Sequence, residues 1–215
     1  VVREVAAGLD DSTALIGFAG APFTVALYMI EGRGSTDGAN IRRWAARRSD
    51  EFTALMDVLC VATSNYLIEQ VNHGAEALQL FDSWAGILSE EQYKEFALPY
   101  ISTICDSIDE VPVTVFAKGA YFVRKEMGEL NCRTIGLDWN MDPTLSRELI
   151  GTDKTLQGNL DPCVLYSDFK TIEQKTKEML GKFDGHPHIA NLGHGVYPDI
   201  SPDAVRCFID TVKAF

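Results

Sequence analysis

The sequence predicts an α/β protein whose sheet is parallel and covered by helices. Three observations lead there. Six apolar, β-prone runs alternate with helix-compatible stretches. No two of these runs are joined by a hairpin turn signal, so neighbouring strands need a helical crossover. The strand cores are continuous apolar runs rather than strict alternations, the pattern of strands buried on both faces. A (β/α)8 barrel and an open doubly wound sheet both satisfy these observations. In both, ligands sit at the C-terminal ends of the strands.

The stretch Leu15–Ser35, LIGFAGAPFTVALYMIEGRGS, sets the plan for the rest. Leu15–Ala19 reads as a strand, Gly20-Ala21-Pro22 as a tight turn, and the run carrying Tyr28 as a helix. Pro22 suits a first helical position, where its missing N–H costs nothing. Ahead of this stretch, residues 1–11 read as a helix end and a loop. Helices follow at Ile41–Arg48 and Asp50–His73, the second ended by Gly74. Ala77–Phe81 is a strand that runs into Asp82-Ser83-Trp84. Ser89 opens a helix with Gln92 in its first turn, a capping-box pattern, and Pro99 should kink or divide it. Further strands are expected at Val113–Ala117, Thr134–Leu137, Thr155–Gln157 and Ile189–Leu192. Helices should lie at Phe122–Leu130, near Pro143–Leu149, at Phe169–Phe183 and after Ser201-Pro202-Asp203.

At 215 residues and 46 % hydrophobic, the chain can bury a sizeable core. Its formal charge of -12 disfavours nucleic-acid partners. No run is long and apolar enough to span a membrane. The five cysteines (Cys60, Cys105, Cys132, Cys163, Cys207) are scattered, without ligand spacing, which favours a reducing compartment over a disulfide framework. The chain begins with Val rather than Met, so the expectation is a processed, truncated or excised piece of a longer protein.

Several polar residues stand at strand ends, and each has an ordinary explanation to weigh. Tyr28 lies in an apolar run and reads first as a part-buried core tyrosine. Asp82 and Ser83 could cap a helix or bind a ligand. Lys118 could meet an anion or be a loop lysine. Asp138 and Asp161 read as helix caps, Asp161 especially, with Pro162 after it. His73, His186 and His188 read as surface residues. Arg42-Arg43 and Arg47-Arg48 read as a solvated helix face, and Arg33 as an anion-binding candidate on geometry. His194 is different. In NLGHG it stands between two glycines at a strand end, so its imidazole is open to a ligand, and function is the better reading. The Gly-rich ends match neither GxGxxG nor GxxxxGK[ST], which weakens a nucleotide-binding reading.

Taken together, FAGAPFT with YMIEGRGS, LQLFDSWAG with FALPY, GLDW, LQGNLDP, and IANLGHG with YPD resemble the uroporphyrinogen decarboxylase family. The motifs run from Leu15 to Asp199 in the family's order and spacing. The resemblance implies a (β/α)8 TIM barrel, of which about six of the eight strand–helix units are present in one incomplete domain. It implies decarboxylation of the four acetate side chains of uroporphyrinogen III to coproporphyrinogen III, in heme and chlorophyll biosynthesis, with no metal or organic cofactor. It also implies a homodimer. The family's substrate-contacting tyrosine, serine and histidine fall on Tyr28, Ser83 and His194, of which Tyr28 and His194 are the catalytic candidates. Its cleft-lining apolar positions fall on Phe18 and Phe81. The family's arginine loop and pyrrole-binding aspartate have no counterpart here and are expected upstream of Val1. Those arginines would neutralise the octa-carboxylate substrate that the chain's own negative charge would repel. Arg33 departs from the usual family pattern. DSWAG is closer to the plastid and cyanobacterial type, so both cytoplasm and plastid are expected compartments. The rival reading is a corrinoid-dependent methyltransferase on the same fold, with zinc held by histidine and cysteine. Against it, GHG has no ligating cysteine nearby and Cys163 has no spaced partner. An inactive fragment is the remaining alternative.

Overall fold

Alternating apolar strands and amphipathic helices pack as two compact units in the structure, a computed structural model that describes residues 1–10, 12–32, 37–47 and 50–215. Arg33 and Arg48, and with them the glycine loop at 33–35, lie outside the described residues. The first unit comprises residues Val1–Val123 and Glu129–Arg133, the second Arg124–Gly128 and Thr134–Phe215.

In the first unit, α1 (Val2–Gly8) precedes β1 (Ile16–Gly20) and α2 (Pro22–Glu31). Pro22 occupies the first turn of α2, as its fixed φ favours. Then come α3 (Ala39–Ala46) and α4 (Asp50–Asn72), followed by β2 (Ala77–Asp82). Next are α5 (Glu90–Phe96), α6 (Leu98–Asp106) and β3 (Val113–Ala117). The Ser89 hydroxyl accepts from the Gln92 N–H, and the Gln92 side chain accepts from the Ser89 N–H, completing the expected capping box. Pro99 divides the helical stretch in two, at the start of α6. β1 pairs with β2 and β2 with β3, all parallel, in the registers Phe18↔Gln79 and Phe81↔Phe116.

The second unit holds α7 (Arg124–Gly128), β4 (Thr134–Gly136), α8 (Pro143–Ile150), β5 (Thr155–Leu160), α9 (Phe169–Gly181), β6 (His188–Leu192) and α10 (Pro202–Ala214). Here β4–β5 and β5–β6 are parallel. α7 is shorter than expected, because Tyr121–Val123 forms a 3-10 turn ahead of it. β5 runs three residues further than expected, to Leu160.

Burial corrects one expectation. β3 and β4 are largely buried, but β1 and β2 alternate. Gly17 and Ala19 point into the packed layer, whereas Ile16 and Phe18 are 58 % and 62 % exposed. The apolar run of β1 therefore does not report burial on both faces. α4 packs against β1 and α2 against β2, and the face carrying Phe18 is the open one.

Gln70 of α4 holds β1 from the side. Its Oε1 accepts from the Phe18 N–H and its Nε2 donates to the Phe18 carbonyl, both at 3.0 Å. An amide side chain thus replaces a strand neighbour for one residue. Gly17 makes this approach possible, since a Cβ there would lie 2.6 Å from Gln70 Oε1. Gln70→Leu should leave both Phe18 backbone groups without a partner and destabilise by about 2–4 kcal/mol. Denaturant unfolding of the full-length protein measures this.

Candidate functional site

The polar residues singled out in the sequence stand at strand C-termini in both units. In the first unit, the ends of β1, β2 and β3 are laced together by main-chain bonds. The Ala21 N–H donates to the Phe81 carbonyl at 2.8 Å, and the Lys118 N–H to the Asp82 carbonyl at 3.0 Å. Phe18, Phe81 and Phe116 form an edge-to-face row across the three strands, with successive centroids 6.1 Å apart. Phe18 and Phe81 are therefore brought together, on the open face of the sheet.

Asp82 is completely buried at the last position of β2. It is not a helix cap. Its Oδ1 accepts from the Thr24 hydroxyl of α2 at 2.6 Å, and the same hydroxyl oxygen accepts from the Trp84 N–H at 3.3 Å. The Asp82 carboxyl lies against the hydroxyl of Tyr93, itself fully buried on α5. Burial pushes the Asp82 carboxyl up to about 6, opposed by Thr24 and Tyr93. The Tyr93 hydroxyl is pushed well above its ordinary value by burial and by the nearby carboxylate. Ser83, half-buried, stands between the two residues that Thr24 ties.

Tyr28 is 53 % exposed, so its reading as a core residue is overturned. It lies one turn beyond Thr24 on α2, at the i+4 position that shares a helix face. Thr24 turns inward to Asp82, while Tyr28, one turn further on, is exposed.

In the second unit, Gly193 follows β6 and its N–H donates to the Leu160 carbonyl at 2.7 Å. His194 is exposed and meets the Trp139 ring edge-to-face, centroids 6.3 Å apart. The loop beyond His194 is held at its far end. The Tyr166 hydroxyl bonds Asp199, and the rings of Tyr166 and Tyr197 stack with centroids 6.3 Å apart. That bond pushes the Tyr166 hydroxyl up to about 12.

Other assignments divide. Asp161 caps as expected, its Oδ1 accepting from the Cys163 N–H at 2.8 Å. Asp138 does not cap a helix. It is fully buried, and its Oδ1 accepts from the Asn140 N–H at 2.8 Å in a tight turn, while Asp142 caps α8. The Asn159 side chain braces that turn by donating to the Asp138 and Met141 carbonyls. His188 is not a surface residue. Its ring stacks on Phe183 at 3.7 Å and its Nε2 lies 2.6 Å from the Gly158 carbonyl. Burial pushes its imidazole down, away from the charged form. His186, Arg42 and Arg43 are exposed, as expected. All five cysteines are free thiols. Among the described residues, no three His, Cys, Asp or Glu side chains are grouped as a metal site requires, and no helix is long and apolar enough to cross a membrane.

Sequence reading missed Thr24, Tyr93, Trp139 and the Tyr166–Asp199 pair. Only Thr24 left a signal, as a hydroxyl inside the otherwise apolar helix run PFTVALYMI. The others are recognisable only by what they touch.

Comparison with known proteins shows the same pattern over the whole chain. The model of one family, uroporphyrinogen decarboxylase (URO-D), matches residues 1–215. The uroporphyrinogen decarboxylase of Homo sapiens is 44 % identical over 207 residues, covering 92 % of this chain and 56 % of the human protein. That of Schizosaccharomyces pombe is 43 % identical over 214 residues, covering 94 % of this chain and 60 % of the yeast protein. The chain thus spans little more than half the length of these relatives. A solved methyltransferase from Methanosarcina mazei superposes with a TM-score of 0.85 over all of this chain and 62 % of its own, at 18 % identity. That likeness concerns the fold alone. It resolves the choice left by the sequence in favour of six strand–helix units of the (β/α)8 barrel class.

Proposed function

The chain belongs to the uroporphyrinogen decarboxylase family, and from that premise we propose that the whole protein removes carbon dioxide from the four acetate side chains of uroporphyrinogen III, giving coproporphyrinogen III. The observation that carries this reading is the family match over every residue of the chain. The chain is read as one incomplete barrel domain, the whole protein as a homodimer acting without metal or organic cofactor in cytoplasm or plastid.

The chemistry explains the side chains. An acetate on a pyrrole has no electron sink, so direct loss of carbon dioxide would strand a carbanion. Protonation of a ring carbon gives an iminium-like cation. The C–CO2 bond then breaks and its electron pair passes into that ring. Protonation of the resulting exocyclic carbon and loss of the ring proton restore the pyrrole, so each carbon dioxide released consumes one proton. The protein's task is preorganised electrostatics and orientation, with no nucleophile required. Tyr28, an exposed residue, and Ser83 hydrogen-bond substrate carboxylates through their hydroxyls. The apolar row of Phe18 and Phe81 takes the macrocycle's ring faces. His194, aimed by Trp139, binds a propionate or acetate as imidazolium.

In the full-length protein, Tyr28→Phe and His194→Asn should each lower kcat/KM by about 10- to 100-fold and leave the melting temperature within a few degrees. Unchanged steady-state kinetics in either variant would remove that residue from substrate binding. The rival reading, methyl transfer with a thiol activated on zinc, draws nothing from the methyltransferase likeness, which concerns the fold alone. Elemental analysis of the purified full-length protein separates the two readings, since stoichiometric zinc favours methyl transfer and its absence with decarboxylase turnover rejects it.

A further inference from the structure

We propose that Thr24 and Asp82 are positioning residues that fix Ser83 from beneath, one hydroxyl tying the residue before it to the residue after it. This rests on the reading of Ser83 as a substrate contact. The Thr24 oxygen accepts from the Trp84 N–H and donates to Asp82 Oδ1, so the chain 82–83–84 is closed into a small ring through a side chain on another element.

The role of Asp82 follows from hydroxyl chemistry. A threonine O–H rotates freely unless its proton has a committed acceptor. The buried Asp82 oxygen, 2.6 Å away, is that acceptor, and it leaves a Thr24 lone pair directed at Trp84. The backbone of Asp82 is held independently, its carbonyl accepting from the Lys118 N–H. The carboxyl group is therefore not needed to hold the strand end. Its other oxygen faces the equally buried Tyr93 hydroxyl, so an ionisable carboxyl is held wholly out of water in the core, an arrangement that costs stability. A carboxylate kept at such a cost directly under a candidate ligand contact fits a site where stability yields to geometry. Thr24 also lies one turn before Tyr28, so the same tie sets the register of α2 against the Ser83 loop.

The test uses the full-length protein with Thr24→Val, which keeps the shape and removes the hydroxyl, and Thr24→Ser, which restores it. Two readouts are taken: steady-state decarboxylation of uroporphyrinogen III, and amide exchange at Ser83 and Trp84. Thr24→Val should lower kcat/KM by about 10- to 100-fold and speed Trp84 amide exchange by about 10-fold or more. Thr24→Ser should recover most of both. Thr24→Ala serves for the exchange measurement if the valine variant does not fold. Wild-type turnover in Thr24→Val, or unchanged Trp84 protection in the hydroxyl-free variant, overturns the proposal. Failure of the wild-type protein to decarboxylate overturns the proposed activity instead, and the exchange comparison still decides whether Thr24 holds the loop.

Discussion

Gly193→Ala is expected to abolish most activity and to destabilise the full-length protein by about 3 kcal/mol. A Cβ at this position would lie 2.4 Å from the Trp139 backbone nitrogen, 3.0 Å from the Asp138 carbonyl carbon and 3.1 Å from Trp139 Cα. All three are main-chain atoms, so no side chain can swing aside. The Asp138 turn cannot yield easily either, because the Asn159 side chain holds the Asp138 and Met141 carbonyls at 2.8 and 2.6 Å. The strand end must shift instead, which strains the Gly193–Leu160 bond and moves His194 off Trp139. Displacement of a binding group by about 1 Å costs on the order of 100-fold in turnover. Gly195→Ala is the comparison, since nothing lies within 4 Å of a Cβ there, and its stability cost should stay below about 1 kcal/mol. Equal melting temperatures and equal kcat/KM for Gly193→Ala and wild type would contradict this account.

Asp82→Asn is expected to make the protein more stable at pH 8 than wild type, with the gain vanishing in acid. Burial raises the folded-state value of Asp82 from 3.8 to about 6. A raised value means that the folded protein favours the protonated acid. The group's contribution is therefore fully present below about pH 3.8 and is lost as pH rises through about 6. Above that, burying the carboxylate costs about 3 kcal/mol relative to the neutral acid. Asparagine is neutral at every pH, still accepts from Thr24, and can donate to the Tyr93 hydroxyl. The stability difference between variant and wild type should grow by up to about 3 kcal/mol between pH 4 and pH 8. Urea unfolding at several pH values measures it. A difference that stays flat across that range would show that Asp82 is not held against its charge.

Local order was largely legible because its causes are local. Pro22 starting α2, the Ser89–Gln92 capping box, Pro99 dividing α5 from α6 and Asp161 capping before Pro162 each depend on residues within one turn. Strand positions followed from apolar runs, and parallel pairing from the absence of hairpin signals. His194 was singled out by its two glycines, and it stands exposed at the end of β6. Where the reading failed, the deciding feature lay in the packing and not in the composition of the neighbouring residues. Tyr28 read as core because its neighbours are apolar, yet it stands 53 % exposed, one turn beyond the buried Thr24 on the same helix face. His188 read as surface because its loop is polar, yet Phe183 and the Gly158 carbonyl enclose it.

The sequence by itself determined the α/β class, the order of strand and helix, the family, and the small set of residues at strand ends worth testing. These depend on spacing, turn chemistry and short motifs, all written in consecutive residues. Only the tertiary structure decided which of those side chains face outward, and that Thr24, Tyr93 and Trp139 stand behind them. Such support depends on contacts between residues 11 to 60 positions apart, and a linear pattern carries no record of a distance closed by packing.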